Sequence, residues 1–422
     1  MNLVFNEYIK FLNDKGLKDQ TGIELKEGYY WYDKSIIKAY DTNGNIHKVV
    51  RLKVNNDLSI SFKRYKDKEF EIESWRNTVN RKRQHLINLE YKAFRLIELC
   101  DKYCSKDIKR CVLSSGGKDS SVVTYLAKEI LKNPPLIIFN NTTLDCAETY
   151  KHIKKEDNLL IINPKEGFYQ WRERMNFIPT RFSRACCNIF KEGAMTDCLD
   201  ENDKYLFFMG MRNQESSTRS SYGDRWKNTK WGKRSWEAML PIRTWSEEDV
   251  WLYTILRNIE VNPKYKLGYS RVGCVIACPF YTKLTWALDQ YWYSNMYERW
   301  HKILEKDFIE NKKACVLNCT LNEYHYSWNG GMVHEEPSGE CIKEFSEQQG
   351  LELDIAKKYF NKTCVCCNKK LKKDDIALSM KFYGRKIEKF KCIKCMSKEL
   401  NTTVKELRER AKLFKQGGCA LF

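Results

Sequence analysis

The chain changes its hydrophobic period several times, and each change marks a different kind of element. Over residues 1–75 the segments GYYWYDKS, IIKAYDTNGNIHKVVRLKV and LSISFKRY are rich in β-branched and aromatic residues, which suit a pleated, half-buried surface. Asn43-Gly44 offers two residues that tolerate positive φ, a strong hairpin signal. These features predict a small β-rich N-terminal unit. Over residues 76–104 the period becomes helical. Leu86, Leu89, Ala93, Leu96 and Cys100 recur at steps of three and four, the spacing of one helix face.

Short runs apolar on both faces follow: CVLS (111–114), LIIFN (136–140), LLIIN (159–163) and YLFFMG (205–210). Between the first two, SSVVTYLAKEILKN (120–133) reads as a helix. Buried strands alternating with helices predict an α/β fold with a parallel sheet covered on both faces. Ligands in such sheets bind at the carboxyl ends of strands, which directs attention to the loops after residues 114, 140 and 210. Residues 280–360 are aromatic and charged and read as helical, and residues 361–422 begin a separate module. The expected layout is therefore a β-rich unit at 1–75, an α/β domain at 76–280, a helical extension at 281–360 and a terminal module at 361–422.

Composition narrows the class. The 422 residues suffice for two to three domains at about 150 residues each. A hydrophobic fraction of 42% with 13% aromatics excludes a disordered or collagen-like chain. No apolar run approaches the roughly 20 residues that cross a bilayer. MNLVFNEYIKFLNDKG carries acids within its apolar stretch, so it makes a poor signal peptide. The expectation is a soluble, cytoplasmic protein with no membrane partner. The net charge is +19, and it is uneven: residues 363–422 hold 16 Lys/Arg against 6 Asp/Glu. A basic tail favours polyanions such as nucleic acid, although a solvated surface explains it equally well.

Many of the 18 cysteines fall into tight clusters, and none of the six histidines lies near one in sequence. In a reducing compartment that pattern favours thiolate-rich metal sites over disulfides. Cys364-Val-Cys-Cys367 and Cys392-Ile-Lys-Cys395 are two C-x-x-C knuckles separated by 24 residues. The spacing resembles a zinc ribbon, a closed four-thiolate Zn²⁺ site, with the intervening segment as its hairpin and a basic helix after it. Cys366 is a spare that could replace Cys367.

After the strand CVLS comes Ser115-Gly116-Gly117-Lys118-Asp119-Ser120 and then a helix. Two glycines let the backbone approach an anion, and the helix presents free N–H groups and a positive dipole end. Lys118 adds a point charge, and Ser115 and Ser120 add hydroxyls. The G-x-x-x-x-G-K-[ST] form does not fit, because Asp119 follows the lysine.

SSGGKDSS resembles the SGGxDS loop of the PP-loop ATP pyrophosphatase superfamily. FNNTTLDCAETY (139–150), SRACCNIFK (183–191), GMRNQESSTR (210–219), PIRTWSEEDVW (241–251) and NPKYKLGYSRVGC (262–274) resemble one branch of it, the phosphoadenosine phosphosulfate (PAPS) reductase family. The resemblance spans roughly residues 105–280. It implies a Rossmann-like sheet of the adenine nucleotide alpha hydrolase type that binds ATP or PAPS. Residues 115–120 would hold phosphate or sulfate, with Lys118 catalytic. Asn141, Thr142 and Glu148 would lie at the end of the second strand, and Arg212, Glu215 and Arg219 on the anion side. The full SGGKDS resembles the ATP-using relatives that sulfurate tRNA or DNA. Those cleave the α–β phosphate bond, which calls for Mg²⁺, with Asp119 placed to help hold it, and for a sulfur-donor protein.

The same resemblance implies a [4Fe–4S] cluster on Cys186, Cys187, Cys274 and Cys278. Cys274 and Cys278 stand in C-x₃-C rather than the usual C-x-x-C, so Cys315 and Cys319 are substitutes, and a bare thiol site or another metal remains open. Reductases of the family carry a catalytic Cys near a flexible C-terminus. Cys419, behind Gly417-Gly418, and Cys341, within Glu340-Cys341-Ile342, are the matching thiols. Three functions follow: ATP-driven sulfuration of a nucleic acid, which the intact loop and basic tail favour; PAPS reduction with release of sulfite; and a non-catalytic nucleic-acid-binding or nucleotide-sensing protein.

Overall fold

The β-branched segments near the N-terminus pair into a five-stranded sheet in the computed structural model. The model describes residues 1–422 except 66–68, 181–183, 216, 228–233, 235, 311–319, 330–362, 370, 385–386, 388 and 417–422. Strands β1 (Asn2–Leu3), β2 (Tyr30–Asp33), β3 (Ile36–Tyr40), β4 (Ile46–Val54) and β5 (Ile60–Arg64) lie in sequence order, antiparallel throughout. The hairpin differs from the expected form. Gly44 alone of its pair takes positive φ, at 86°, and the Asp41 carboxylate accepts the N–H groups of Asn43 (3.0 Å) and Asn45 (2.8 Å). The unit is also less purely β than predicted. Helices α1 (Asn6–Asp14) and α2 (Leu17–Thr21) precede β2, and α1 buries Tyr8, Ile9, Phe11 and Leu12, a helical spacing that stands in the sequence.

The second sheet has six strands: β6 (Lys109–Leu113), β7 (Leu136–Asn140), β8 (Leu159–Ile162), β9 (Tyr205–Met209), β10 (Arg225–Trp226) and β11 (Trp236–Met239). Their order is β10-β11-β9-β6-β7-β8, parallel except for β10, which runs antiparallel to β11. The short strands β10 and β11 escape a periodicity reading because two to four residues carry too little pattern. Val112 stands opposite Ile137 and Phe208, and Cys111 opposite Leu136 and Phe207. Successive residues therefore face opposite cores. Val112, Leu206 and Phe208 pack with Val122, Leu126 and Trp251, while Cys111, Tyr205 and Phe207 pack with Met195, Leu199 and Trp236. Burial on both faces explains why these strands read as unbroken apolar runs.

The helical stretch 76–104 is two helices, α3 (Trp75–Arg81) and α4 (Arg83–Tyr103), which meet at the non-helical Lys82. Helix α5 (Lys118–Ile130) begins two residues earlier than its hydrophobic pattern, because Gly117 supplies an extended N-cap. Helix α6 (Ala147–Ile153) follows β7. Both sheets fall in one compact unit, comprising residues 1–175, 186–275 and 287–292, and the remainder forms a second. No helix among the described residues is long and apolar enough to cross a membrane.

In the second unit, helices Ser294–Glu310 and Leu321–Ser327 precede three helices at Lys373–Tyr383, Ile393–Glu399 and Val404–Gln416. The hairpin expected between the cysteine knuckles is thus corrected to a helix. Asp374 and Asp375 occupy its first turn, the Lys372 N–H donates to Asp375 at 2.8 Å, and Leu378 is buried with Met396, Leu407 and Ala411. A helix that caps itself and buries one side against two neighbours outcompetes a two-stranded hairpin, which is marginal alone.

His301 and His325 lie in this unit with ring centroids 4.4 Å apart, and the Tyr297 ring lies tilted against His301 with centroids 4.0 Å apart. Burial, then the His325 ring, pushes the His301 pKa down to about 3, and burial lowers that of His325 against the pull of Glu305. A depressed folded pKa means that the native state holds the neutral rings. Stability is full above the unfolded value near 6.5 and falls as pH drops below it, by up to about 1.4 kcal/mol per pH unit for each ring. The midpoint of thermal unfolding of this unit should therefore drop between pH 7 and pH 5, and His301→Phe should flatten the drop.

Candidate functional site

The order of the parallel sheet locates the site. The chain passes from β6 to β7 and β8 on one side, then crosses to β9 on the other, so a crevice opens between the carboxyl ends of β6 and β9. The segment 114–117 leaves β6 there, and Gly210 leaves β9. Gly116 has φ +69°, and a Cβ on it would lie 3.3 Å from Thr149 Cγ2 and 3.4 Å from the Asn262 amide nitrogen. Its N–H donates to Ser114 Oγ at 3.2 Å, and the Ser120 hydroxyl donates to the Gly117 carbonyl at 2.8 Å. The loop is thus shaped by its own serines. Gly210 is a requirement that the sequence reading missed. A Cβ there would stand 2.7 Å from the Asp119 carbonyl carbon and 2.9 Å from the Ser120 nitrogen, so only glycine lets the end of β9 lie against the start of α5.

The charges around this junction form one network. The Lys118 ammonium is 2.8 Å from Asp119 and 3.5 Å from Glu247, with the Trp251 and Tyr265 ring centroids 5.7 and 5.8 Å away. Arg212 Nε donates to the other Asp119 oxygen at 2.5 Å. Lys118 and Arg212 are both buried, at 3% and 4% exposure. Burial alone would raise the Asp119 carboxyl, but Lys118 and Arg212 outweigh it and hold the group below its usual range. Burial likewise opposes the Lys118 charge, and Asp119, Tyr265 and Glu247 more than restore it. Arg219 pairs with Glu215, and burial, then the charge of Arg271, lowers its pKa. Arg212, Glu215 and Arg219 therefore do gather beside the loop. Both Asp119 oxygens are committed to cations, which makes that carboxylate a strut rather than a ready Mg²⁺ ligand.

At the end of β7, Asn141 and Thr142 build the adjoining turn. Thr142 Oγ donates to Asp145 at 2.6 Å, the Asn141 amide oxygen accepts from Tyr150 at 2.6 Å, and the Asn141 amide nitrogen donates to Asn163 at 2.8 Å. Glu148 stands in the first turn of α6. Two further supports escaped the sequence reading. The Tyr265 hydroxyl accepts the Lys118 N–H at 3.1 Å, and the fully buried Asn262 donates to Thr149 at 3.1 Å. Glu247 was legible in principle. Ser246 and Asp249 form a capping box, with Ser246 Oγ accepting the Asp249 N–H at 3.0 Å and Asp249 accepting the Ser246 N–H at 2.9 Å, which marks 247–248 as the first turn of a helix.

Residues 109–279 match the model of the phosphoadenosine phosphosulfate reductase domain. The chain carries a PAPS reductase domain. An uncharacterized protein of Methanocaldococcus jannaschii is 26% identical over 244 residues, 57% of this chain and 58% of that protein. An adenosine 5′-phosphosulfate reductase of Bacillus cereus is 25% identical over 193 residues, 41% of this chain and 73% of that enzyme. A crystal structure of a PAPS reductase from Candida auris aligns at 15% identity with a TM-score of 0.35, over 45% of this chain and 94% of that one. The chain spans less than two thirds of the length of the first relatives it matches, 58% and 41%.

Within the PAPS reductase domain, Cys186 and Cys187 lie in the short helix Ala185–Cys187, which runs directly into a π-helical turn at Asn188–Gly193. Such turns are frequent at functional sites. Cys274 Sγ is 3.7 Å from Thr142 Oγ, and the following residue, Val275, donates its N–H to Leu144 at 2.6 Å. Cys186, Cys187 and Cys274 share the first unit, while Cys278 belongs to the second. Among the described residues, the set whose ligand atoms all lie within 4.8 Å of one another is Cys364, Cys367, Cys392 and Cys395, C-terminal to the domain. Cys367, not Cys366, completes this tetrad, which fits a zinc ribbon. Burial opposes the Cys364 thiolate, yet backbone N–H groups of Cys392, Cys366 and Cys367 bring its pKa down to about 6. Cys315, Cys319, Cys341 and Cys419 lie outside the described residues.

Gly210→Ala tests the junction between β9 and α5. The intruding methyl should push α5 away from the loop and lower stability by about 1–3 kcal/mol, read from denaturant unfolding. Gly223→Ala, whose Cβ would meet the Arg225 carbonyl oxygen at 3.3 Å and nothing nearer, should cost less.

Proposed function

We propose that the protein is an ATP-using enzyme of the PP-loop class that sulfurates a nucleic acid. What supports the reading is the glycine-serine loop at the head of α5 with Arg212 and Arg219 on its flank, an arrangement suited to a polyphosphate. In this reading Ser115, Gly116, Gly117 and Ser120 bind phosphate oxygens, and the charge of Lys118 and Arg212 favours the negative charge that builds at the α-phosphate. An acceptor oxygen on the nucleic acid attacks the α-phosphorus. The bond to the β-phosphate breaks, and pyrophosphate leaves with its electron pair. A sulfur nucleophile from a donor protein then displaces AMP from the activated acceptor. Asn141, Thr142 and Glu148 are proposed to face the nucleoside. The zinc tetrad Cys364, Cys367, Cys392 and Cys395 is proposed to hold the basic terminal module together, and Cys186, Cys187, Cys274 and Cys278 to carry an iron–sulfur cluster.

PAPS reduction is the second reading, favoured by the likeness of residues in the domain to an adenosine 5′-phosphosulfate reductase. Its candidate thiols are Cys419 and Cys341. Product analysis separates the two. With ATP and nucleic acid the protein should release AMP and pyrophosphate, and Lys118→Met, which keeps the buried stem, should slow this by about 100-fold or more. Sulfite and adenosine bisphosphate formed from PAPS, and lost in Cys419→Ser or Cys341→Ser, would overturn the proposal.

Metal analysis tests the two thiolate sets separately. Anaerobically purified protein should hold about one zinc and about four iron per chain. Cys392→Ser should lose zinc alone and Cys186→Ser iron alone. Protein purified without iron would remove Cys186, Cys187, Cys274 and Cys278 as cluster ligands.

A further inference from the structure

Helix α4 shows two opposed faces. Leu86, Glu90, Ala93, Ile97 and Cys100 are buried on one. Opposite them, Tyr91, Arg95, Leu99 and Lys102 follow one another at steps of four, four and three, and Tyr103 closes the row. Tyr91 is 63% exposed, Leu99 40% and Tyr103 75%. Two solvated tyrosines on one row of a helix otherwise well packed are unusual, because aromatic rings are among the side chains that gain most from burial. The row is also basic. Lys92, Arg95 and Lys102 are exposed, and the exposed acid beside them, Glu98, is paired with Arg95 at 2.7 Å. Lys102 lies 5.9 Å from the Tyr103 ring centroid, a cation placed beside an open aromatic face.

The helix also has a direction. Its first residues adjoin the head of helix Glu247–Leu256: His85 bonds Asp249 at 2.9 Å, and Lys82 pairs with Glu248 at 2.8 Å. Glu247 of that same turn reaches Lys118 at 3.5 Å. The helix thus starts beside the candidate nucleotide site, and its aromatic and basic row begins about 9 Å further along and runs away from it within the same unit. From Tyr91 to Tyr103 it covers about 18 Å, the length of about five stacked nucleotides.

We propose that this face of α4 binds a single-stranded segment of nucleic acid, with Tyr91 and Tyr103 stacking on bases and Arg95 and Lys102 meeting phosphates. Interleaved aromatics and cations are what a single strand requires, since every base has a ring face and every nucleotide a charge, whereas a duplex hides its ring faces. The inference rests on the reading that the acceptor is a nucleic acid, and it names the surface that would receive it.

The test is fluorescence anisotropy of the full-length protein with a labelled oligothymidylate of about 20 nucleotides, an oligouridylate of equal length and a duplex of equal length. Wild type should bind either single strand more tightly than the duplex. Tyr91→Ala and Tyr103→Ala should each weaken single-strand binding about fivefold or more, Tyr→Phe at either position should restore it, and duplex binding should stay unchanged. Arg95→Gln with Lys102→Gln should reduce the slope of log affinity against log salt by about 0.7 per lost contact. These side chains are exposed, so the variants should unfold at the wild-type temperature. Unchanged single-strand affinity in Tyr91→Ala/Tyr103→Ala overturns the surface. If that variant also keeps nucleic-acid-dependent AMP release, the proposed function stands and only the surface falls. Failure of wild type to bind any of the probes overturns both.

Discussion

Two cations around one carboxylate decide the geometry of the crevice between β6 and β9. Asp119 is buried at the head of α5, where an isolated charge would be strongly disfavoured, and it stays ionised because Lys118 and Arg212 occupy its two oxygens. Lys118 in turn ties α5 to Glu247 at the head of helix Glu247–Leu256, and Arg212 ties it to the segment that leaves β9. Removing Asp119 would leave two buried cations without their shared partner, beside the Trp251 and Tyr265 rings. The loop above it inherits this rigidity, since Tyr265 holds the first amide of α5 and Gly210 lets the β9 end lie directly against the α5 backbone.

Much of this architecture was legible in the sequence, for identifiable reasons. The strands at 111–114, 136–140, 159–163 and 205–210 announced themselves because burial on both faces removes polar positions from the pattern. The loop at 115–120 stood out because it falls between such a strand and a helix. Other features were hidden because their cause is tertiary. Gly210 reads as an ordinary loop glycine until α5 is placed 2.7 Å from where its Cβ would be. Tyr265 and Asn262 sit more than 100 residues from the groups they hold. The segment between the cysteine knuckles was misread because the spacing of the thiols suggested a ribbon hairpin. The chain between them instead has its own acidic helix start and a side to bury against two later helices.

The two ends of the chain follow different physical logic. The six-stranded sheet and its loop are organised by buried charge and by parallel strands whose neighbours lie far apart in sequence. The C-terminal module is small, with an apolar cluster centred on Leu378, Met396, Leu407 and Ala411, and four thiols gathered beside it. A core of that size supplies little stability alone, which is the setting in which a metal staple is most useful.

The position of β6 carries a consequence of its own. It is paired on both sides, with β9 and β7, and its far end continues into the 114–117 loop, where the Ser114 N–H bonds the Ile138 carbonyl at 2.9 Å. The loop is therefore an extension of an interior strand, which belongs to the slowest-opening part of such a sheet. On the proposed function, the conformational entropy of ordering this loop as an anion cradle was surrendered when the sheet formed, not when a nucleotide arrives. Encounter should then meet a surface already in its bound shape, and the lifetime of the complex should depend on the contacts lining the loop and not on loop closure.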